Sequence, residues 1–433
     1  MEKMALKYEL DDKPSLSKLL IFGLQWLAIA IPMIIIVGKV VATLHYDNPA
    51  QQIIYIQKVF FVIGISVFIQ VLWGHKLPLI IGPAAVLLVG IAASQGRDIS
   101  TVYTSILIGG FILALLSISG LFERLQKLFT PRVIVTILVL IGFTLTPMII
   151  RLIMPAEMTV SPLHNLLFVL TFILCVFIAN RFLTGLWKST LIISAMIIGS
   201  LVYIVIFPQA FTPQQASIDI FAFFFQDFNT KLTLDVGVLV SFLICYLALA
   251  INDLGSIRSI GEMLQADDMA KRTSRGITWT GILNMLSGFF GVIGSVNYSL
   301  SPGVIASTGV ASRFTLVPTG IGLMILAFIP PAIRFIGNIP SVVIGSAFIY
   351  ILCSQIAAGL YLAFTSMKNF RFENGLILGL PLMLSIIISF LPEEAVATFP
   401  LTLKPILGNG FVIGVISVLI MEHIIYKEKN KPA

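Results

Sequence analysis

The sequence YSLSPGVIASTGVASR, from Tyr298 to Arg313, joins a break in the chain to a short helix of small residues. An extended run is predicted over Val292–Val296, Ser301–Gly303 interrupts it, and small residues continue to Gly309. A proline is favourable in the first turn of such a helix, because its missing N–H would have no partner there. Long apolar segments flank the break and place it at membrane depth, where irregular backbone is tolerated only inside protein or beside a water-filled cavity. We therefore expect a half-helix whose positive N-terminal end points into a cavity.

A second stretch, LPLIIGPAAVLLVGIAAS from Leu77 to Ser94, repeats the same order of features. Pro83 matches Pro302, and a glycine follows seven residues after each proline, at Gly90 and Gly309. Two interrupted segments at corresponding positions in two halves of a chain are the best sequence indication of a transporter's binding site. The alternative is that two proline-kinked helices match by chance.

The composition is that of a membrane protein. Of the 433 residues 58% are hydrophobic and 11% are charged, and the mean hydropathy is +1.03, which no soluble domain of this size reaches. The formal net charge of +7 does not indicate nucleic-acid binding, because most of the 27 lysines and arginines fall in loops on one predicted side of the membrane. The three cysteines lie inside apolar runs without metal-ligand spacing, so we predict no metal site, no cofactor and no enzyme active site.

About fourteen segments are apolar over roughly the 20 residues that a helix needs to cross a bilayer. Their predicted bounds are 18–42, 52–73, 77–94, 101–119, 132–150, 162–180, 188–207, 234–256, 277–295, 296–311, 314–335, 340–364, 373–391 and 405–426. A linker over 208–233 separates two halves of seven spans, and an odd number of spans makes the halves inverted repeats, with spans 3 and 10 interrupted. The distribution of basic residues predicts that both termini are cytoplasmic.

Two polar residues lie inside the predicted eighth span, where ionisable groups are costly and mark functional sites by default. Asp253 is a candidate proton carrier, and the alternative is a structural aspartate that bonds to a serine, a backbone group or Arg258. Asn252 offers a donor and an acceptor that suit the amide edge of a heterocycle. Its alternative role is a hydrogen bond between helices.

Five motifs carry a resemblance to a known family: GLQW at Gly23–Trp26, FTPRVIVTILVLIGFTL at Phe129–Leu145, NDLGSIRSIGE at Asn252–Glu262, SPGVIASTGVASR at Ser301–Arg313 and IPSVVIGSAF at Ile339–Phe348. Through them the chain resembles the nucleobase–ascorbate transporters, the uracil and xanthine permeases. The resemblance implies an all-α polytopic fold, a homodimer, and a core domain that moves against a gate domain. It implies the core in 1–131 (spans 1–4) and 234–336 (spans 8–11), and the gate in 132–207 (spans 5–7) and 337–433 (spans 12–14 and a cytoplasmic tail), with 208–233 as an extracellular linker.

The chain departs from this family where substrate is held. The family's eighth-span glutamate falls at Asn252, and its tenth-span glutamate or glutamine and asparagine fall at Leu300 and Ser301. The position that often carries a third-span aromatic is Ala85, and a further polar position is Ser256. A ring normally bonded by two carboxylates would instead meet an amide, a serine and backbone N–H groups. The predicted substrate-binding residues are Asn252, Ser256, Tyr298, Leu300, Ser301, Gly303, Pro83, Ala84 and Ala85.

The favoured prediction is a secondary active transporter of the cell's inner (cytoplasmic) membrane that imports a nucleobase or related heterocycle of uracil, xanthine or purine type. Its predicted partners are this small molecule, protons, the lipid bilayer and a second copy of the chain, and no nucleic acid. The alternative is an anion or small-carboxylate transporter of the same fold, which would use the N-termini of the half-helices. A channel or a non-transporting membrane scaffold is a third possibility.

Overall fold

Helices make up most of the computed structural model, which describes residues 6–155, 159–210, 222–366, 371–400 and 403–427. Part of the predicted linker, 211–221, and most of the predicted tail lie outside the described residues. The first half contains α1 Leu16–His45, α2 Pro49–Leu72, β1 Ile81–Pro83, α3 Ala85–Ala93, α4 Ile99–Ile118, α5 Leu121–Gln126, α6 Pro131–Thr144, α7 Thr146–Ile153, α8 Pro162–Phe182, α9 Gly185–Ser189 and α10 Leu191–Ile206. The second half contains α11 Val236–Leu264, α12 Met269–Phe290, β2 Ser295–Asn297, α13 Ser301–Thr308, α14 Leu316–Ala327, α15 Pro330–Gly337, α16 Ser341–Ser366, α17 Phe372–Ser389, α18 Glu393–Ala397, α19 Lys404–Leu407 and α20 Gly410–Ile420, which a π-helical turn extends over Met421–Ile425.

Eight helices within the described residues are long and apolar enough to cross a membrane, counting α6 and α7 together. Three shorter apolar helices, at 191–206, 313–327 and 410–425, add to them. The chain is therefore a multi-pass membrane protein. Two predicted spans are divided at prolines: Pro147 is the second residue of α7, and Pro330 is the first residue of α15. A proline cannot donate the hydrogen bond that would continue the preceding helix, and this explains both divisions.

Several long helices begin where a polar side chain satisfies free backbone N–H groups. The Asp235 carboxylate accepts from the N–H groups of Gly237 and Val238 at 2.9 and 3.1 Å, and so starts α11. Asn48 and Ser161 cap α2 and α8, and a proline follows each of them at the first helical position. Such caps stabilise a helix by about 1 kcal/mol each and fix where it starts.

Two pairs of helices approach closely through glycines. Helix α4 packs against α12, and α2 packs against α14. A Cβ atom on Gly110 would lie 2.6 Å from the Gly281 carbonyl oxygen, and one on Gly64 would lie 2.8 Å from the Gly320 carbonyl oxygen. Small residues at a helix interface let backbones come together in a membrane, where the hydrophobic effect between helices is absent. Helices α6, α8, α10, α16, α17 and α20 pack with one another in a second group.

The two interrupted segments meet inside the molecule. Strands β1 and β2 pair antiparallel, with Gly82 opposite Val296, and the Ala84 N–H donates to the Gly294 carbonyl at 2.8 Å. Each strand leads into a half-helix, α3 or α13, and Gly309 ends α13 in the left-handed conformation that glycine favours. The extended run at β2 begins later than predicted, because its bounds are set by pairing with β1.

The expected match between the two prolines is wrong. Pro83 ends strand β1 opposite Ser295, whereas Pro302 is the second residue of α13. One residue separates strand from helix in the first half and three separate them in the second. The two interruptions therefore share the order of strand and half-helix, but their prolines do not occupy equivalent positions.

The chain before α1 pairs with the chain after α13. The Lys7 N–H donates to the Gly309 carbonyl at 2.7 Å, and the Ala311 N–H donates to the Tyr8 carbonyl at 2.9 Å. Arg313 Nε lies 2.7 Å from the Asp11 carboxylate. This N-terminal segment, residues 7–12, is thus bound to the end of a half-helix.

Candidate substrate site

A cavity of about 330 Å³ lies beside the two interrupted segments. Its walls are mostly apolar and come from α1, α11, α13, α16 and the two breaks. The polar side chains that line it are Asn180, Lys188, Asn252, Tyr298, Ser299, Tyr350, Ser354 and Gln355. An apolar cavity of this size with a few convergent polar groups is typical of a small-molecule site.

Tyr298 joins the two interruptions. Its hydroxyl donates to the Pro83 carbonyl at 2.7 Å, and its ring packs so closely on Gly82 that a Cβ atom there would clash with it. The hydrogen bond and the packing fix the ring at the edge of the cavity.

Asn252 and Asp253 occupy different environments, because successive helical residues point about 100° apart. Asn252 is half-buried and lines the cavity. Its side-chain nitrogen lies 3.5 Å from the Asn297 carbonyl oxygen, at the limit of a hydrogen bond, so the amide can bind a ligand. Asp253 is fully buried behind it and does not line the cavity.

The Asp253 carboxylate is bound to α12 and β2. It accepts hydrogen bonds from the Thr280 hydroxyl at 2.7 Å, from the Asn297 N–H at 2.9 Å and from the Asn297 side-chain amide. These three donors satisfy most of the acceptor capacity of the carboxylate. Asp253 therefore also anchors the strand that precedes the half-helix, as the structural alternative predicts.

His75 continues this hydrogen-bonded network. Its Nδ1 accepts from the Leu77 N–H at 2.9 Å, so Nε2 carries the proton and donates to the Asn297 side-chain oxygen at 3.1 Å. The pKa of His75 is lowered to about 3, mainly by burial; the Asn297 hydrogen bond opposes this shift, and the guanidinium groups of Arg272 and Arg313 add to it. His75 is thus neutral and orients the Asn297 amide toward Asp253.

The predicted serines lie behind the cavity wall. The Ser256 hydroxyl is 2.8 Å from the Ser299 hydroxyl and donates to the Asn297 carbonyl at 3.1 Å. The Ser301 hydroxyl accepts from the Ile80 N–H at 2.9 Å. Both serines are fully buried and hold the interrupted segments together, while Ser299 lines the cavity.

Of the nine predicted substrate-binding residues, five line the cavity: Asn252, Tyr298, Leu300, Gly303 and Ala85. The other four, Pro83, Ala84, Ser256 and Ser301, support the wall from behind. Sequence reasoning missed the opposite wall, where the Tyr350 hydroxyl donates to Asn180 at 3.1 Å and Ser354 and Gln355 follow on α16. Gln355, a single amide in an apolar helix, was the available signal. No group of three metal-ligating side chains occurs within the described residues.

A membrane-embedded cavity where two broken helices meet is the architecture of a secondary transporter. The structure resembles the transmembrane domain of a cyanobacterial bicarbonate transporter, BicA, with a TM-score of 0.60 and 16% identity over 87% of this chain and 97% of that one. A likeness at this identity establishes the fold alone.

The chain belongs to the xanthine and uracil permease family, whose model, described as a permease family, matches residues 17–394. It is 29% identical to a Clostridium perfringens (strain 13 / Type A) protein that carries a purine permease name, over 98% of this chain and 96% of that protein. It is 25% identical to the xanthine permease of Bacillus subtilis (strain 168), over 93% and 91% of the two chains. The protein is therefore a permease rather than an enzyme, as the sequence predicts.

Proposed function

We propose that this protein is a secondary active transporter that imports a nucleobase or a related heterocycle. The single observation that carries the proposal is the cavity where the two interrupted segments meet, in a chain that belongs to a family of permeases. Relatives named for purine and xanthine transport favour a planar heterocycle as the substrate.

The roles of the lining residues follow from their chemistry. The Asn252 amide can donate to and accept from the edge of a base. The Tyr298 ring offers a fixed aromatic surface, and the Ser299 hydroxyl and the first N–H groups of α13 are further partners. Ser256, Ser301, Pro83 and Ala84 act indirectly by holding this wall in place.

We propose fourteen spans arranged as two inverted repeats of seven spans each, and the packing pattern supports this arrangement. Suppose that α1, α2, α3 and α4 correspond in order to α11, α12, α13 and α14, and that spans 5–7 correspond to spans 12–14. Each contact between two helices should then recur between the two corresponding helices. The contact between α4 and α12 corresponds to the contact between α14 and α2, and the contact between α1 and α2 corresponds to that between α11 and α12. Likewise, the contact between α6 and α17 corresponds to the contact between α16 and α8.

The proposed core domain comprises 1–131 and 234–336, and the proposed gate comprises 132–207 and 337–433. The cavity is lined from both sets of residues: Asn252 and Tyr298 belong to the core, and Tyr350 and Gln355 belong to the gate. A core that moved against the gate would carry a bound molecule from one side of the membrane to the other. On the basis of family membership, we also propose that both termini are cytoplasmic, that the protein lies in the cytoplasmic membrane and that it forms a homodimer.

We further propose that transport is coupled to protons through Asp253. This carboxylate is fully buried and is one residue from Asn252, so a change in its charge would alter the hydrogen bonds of Asn297 and hence the wall of the cavity. Ionisable groups inside a membrane are the usual elements of proton relays.

The test is uptake of labelled uracil, xanthine, hypoxanthine and urate into cells or proteoliposomes that contain the full-length protein. At least one base should accumulate, and a protonophore should abolish the accumulation. Empty vesicles and competition by bicarbonate and small carboxylates are the controls. Failure to take up any base, with binding of small anions instead, would contradict the proposal and favour the anion carrier.

A further inference from the structure

A second cavity, of about 510 Å³, lies between the lipid-facing sides of α1 and α14. We call it the α1–α14 groove, and none of its described lining residues belongs to the substrate cavity. Its lining residues are Lys13, Leu16, Leu19, Leu20, Gly23, Leu24, Leu27, Phe314, Val317, Pro318, Ile321, Gly322 and Ile325. Apart from Lys13 they are apolar or glycine, so the walls suit hydrocarbon rather than a water-soluble ligand.

Glycines let the two helices approach beneath the groove. A Cβ atom on Gly23 would lie 2.7 Å from the Cβ atom of Pro318, so α1 and α14 are in contact there. A Cβ atom on Gly322 would lie 3.3 Å from a methyl group of Leu27. Because these lining glycines carry no side chain, the floor of the groove stays low between its two rims.

The rims are rows of exposed aliphatic side chains. Leu16, Leu20 and Leu24 recur every fourth residue and therefore share one face of α1, while Ile321 and Ile325 form the same pattern on α14. The lining residues of α1 extend over a helical rise of about 16 Å. The hydrocarbon of one leaflet is about 15 Å thick, so the groove has the length of one acyl layer.

The groove has a cation at one end only. Lys13 is exposed just before α1, and its ammonium lies 5.3 Å from the centre of the Phe314 ring. The neighbouring carboxylates are engaged elsewhere: Asp11 pairs with Arg313, and Asp12 accepts from a backbone N–H group. Within the part of the chain that the structure describes, no carboxylate forms an ion pair with Lys13.

We propose that the α1–α14 groove binds an anionic phospholipid, with one acyl chain along the groove and the headgroup phosphate at Lys13. The apolar walls match the chain, the length matches one leaflet, and the cation stands where the chain leaves the hydrocarbon, as an exposed lysine at a membrane interface does. A second copy of the protein docked here would bury the Lys13 ammonium, which is costly without a paired carboxylate.

The test measures lipid binding to the purified full-length protein in a neutral detergent. Phosphatidylglycerol, which carries a net negative charge, is compared with phosphatidylcholine of the same acyl chains, which carries none. Native mass spectrometry counts the lipids bound to each protein and reports the oligomeric state in the same spectrum. Phosphatidylglycerol should bind about fivefold more tightly, as one lysine at a membrane surface provides.

Two variants divide the site into headgroup and chain. Lys13→Met should abolish the preference for phosphatidylglycerol and leave the binding of phosphatidylcholine unchanged. Gly322→Leu fills the groove and should weaken the binding of both lipids about tenfold. The matched controls are Lys127→Met, an exposed lysine outside the groove, and Gly379→Leu, where a Cβ atom meets nothing within 4 Å.

Several outcomes would overturn this assignment. Equal binding of the two lipids to the wild type, or an undiminished preference in Lys13→Met, would remove the headgroup site. The same losses in the control variants would show that general surface charge or bulk explains the binding. A change from dimer to monomer in Gly322→Leu, with lipid binding unaltered, would instead make the groove an interface between copies. None of these measurements requires a transported base, so they stand apart from the uptake test.

Discussion

At the scale of single residues, Asn252 is the amide that faces the proposed substrate. Replacement by alanine removes one donor and one acceptor from the cavity, and we expect the affinity for the transported base to fall about tenfold. Isothermal titration on the purified variant measures this. Replacement of Gln51 by alanine is a suitable control for a general loss of amide groups, because Gln51 is exposed on α2 and does not line the cavity. Unchanged affinity would remove Asn252 from the site.

Asp253→Asn separates binding from coupling. The substituted side chain has nearly the same shape and can still accept from Asn297, so base binding should persist. Since it cannot exchange a proton, accumulation driven by a proton gradient should be lost, while exchange of internal for external base continues. Asp267→Asn, at an exposed position, is the control. Normal gradient-driven accumulation in Asp253→Asn would rule out the coupling role.

The buried His75 should make the stability of the folded protein depend on pH. Its pKa falls from an ordinary value near 6.5 to about 3 on folding, so the unfolded chain binds a proton that the folded chain does not. Stability is therefore retained above the ordinary pKa and is lost as the pH falls below it. Melting curves in detergent from about pH 7 to about pH 5 should show a smaller decline for His75→Gln than for the wild type. His164→Gln, at an exposed position, should decline as the wild type does.

At the scale of elements, the contact between Tyr298 and Gly82 determines the shape of the cavity wall. Gly82→Ala would force the ring from its position, since a Cβ atom cannot fit beside it. We expect base affinity to fall about tenfold or more, with little change in expression. Gly379→Ala is the control, because a Cβ atom there meets nothing within 4 Å. If Gly82→Ala binds as the wild type does, the ring does not shape the site.

The interruptions were predictable because glycine and proline act on their own backbone, whatever surrounds them. The bounds of β1 and β2 were not, since pairing between distant segments decides them: Pro83 faces Ser295 in the sheet, although its local sequence resembles that around Pro302. Asn252 could be found as a polar residue in an apolar helix. Tyr350 could not, because it reaches the cavity only through the packing of α16 against other helices.

At the scale of the whole molecule, several hydrogen bonds link the proposed core to the proposed gate, and Lys39 donates one of them. Lys39 on α1 is half-buried, and its ammonium donates to the carbonyl of Ile339, just before α16, at 2.8 Å. If the core moves against the gate, this bond belongs to one arrangement of the two. Lys39→Met should therefore shift the ratio of the two arrangements by about tenfold.

The readout for Lys39→Met is the maximal uptake rate relative to the equilibrium affinity for the base. A change in the rate at nearly constant affinity is expected, because Lys39 does not line the cavity. Lys18→Met is the control on the same helix, since Lys18 bonds to Tyr8 within the proposed core. Identical rates in the wild type and both variants would indicate that this bond plays no part in the movement.

The pairing of residues 7–12 with the end of α13 has a consequence for biogenesis. Asp11 and its partner Arg313 are 302 positions apart, so a ribosome makes the first long before the second. The N-terminal segment therefore cannot pair with the end of α13 until the intervening helices have been inserted. A bulky fusion placed before residue 7 would therefore act late in assembly, when the second half-helix is secured, and would reduce the yield of mature transporter rather than the insertion of its first spans.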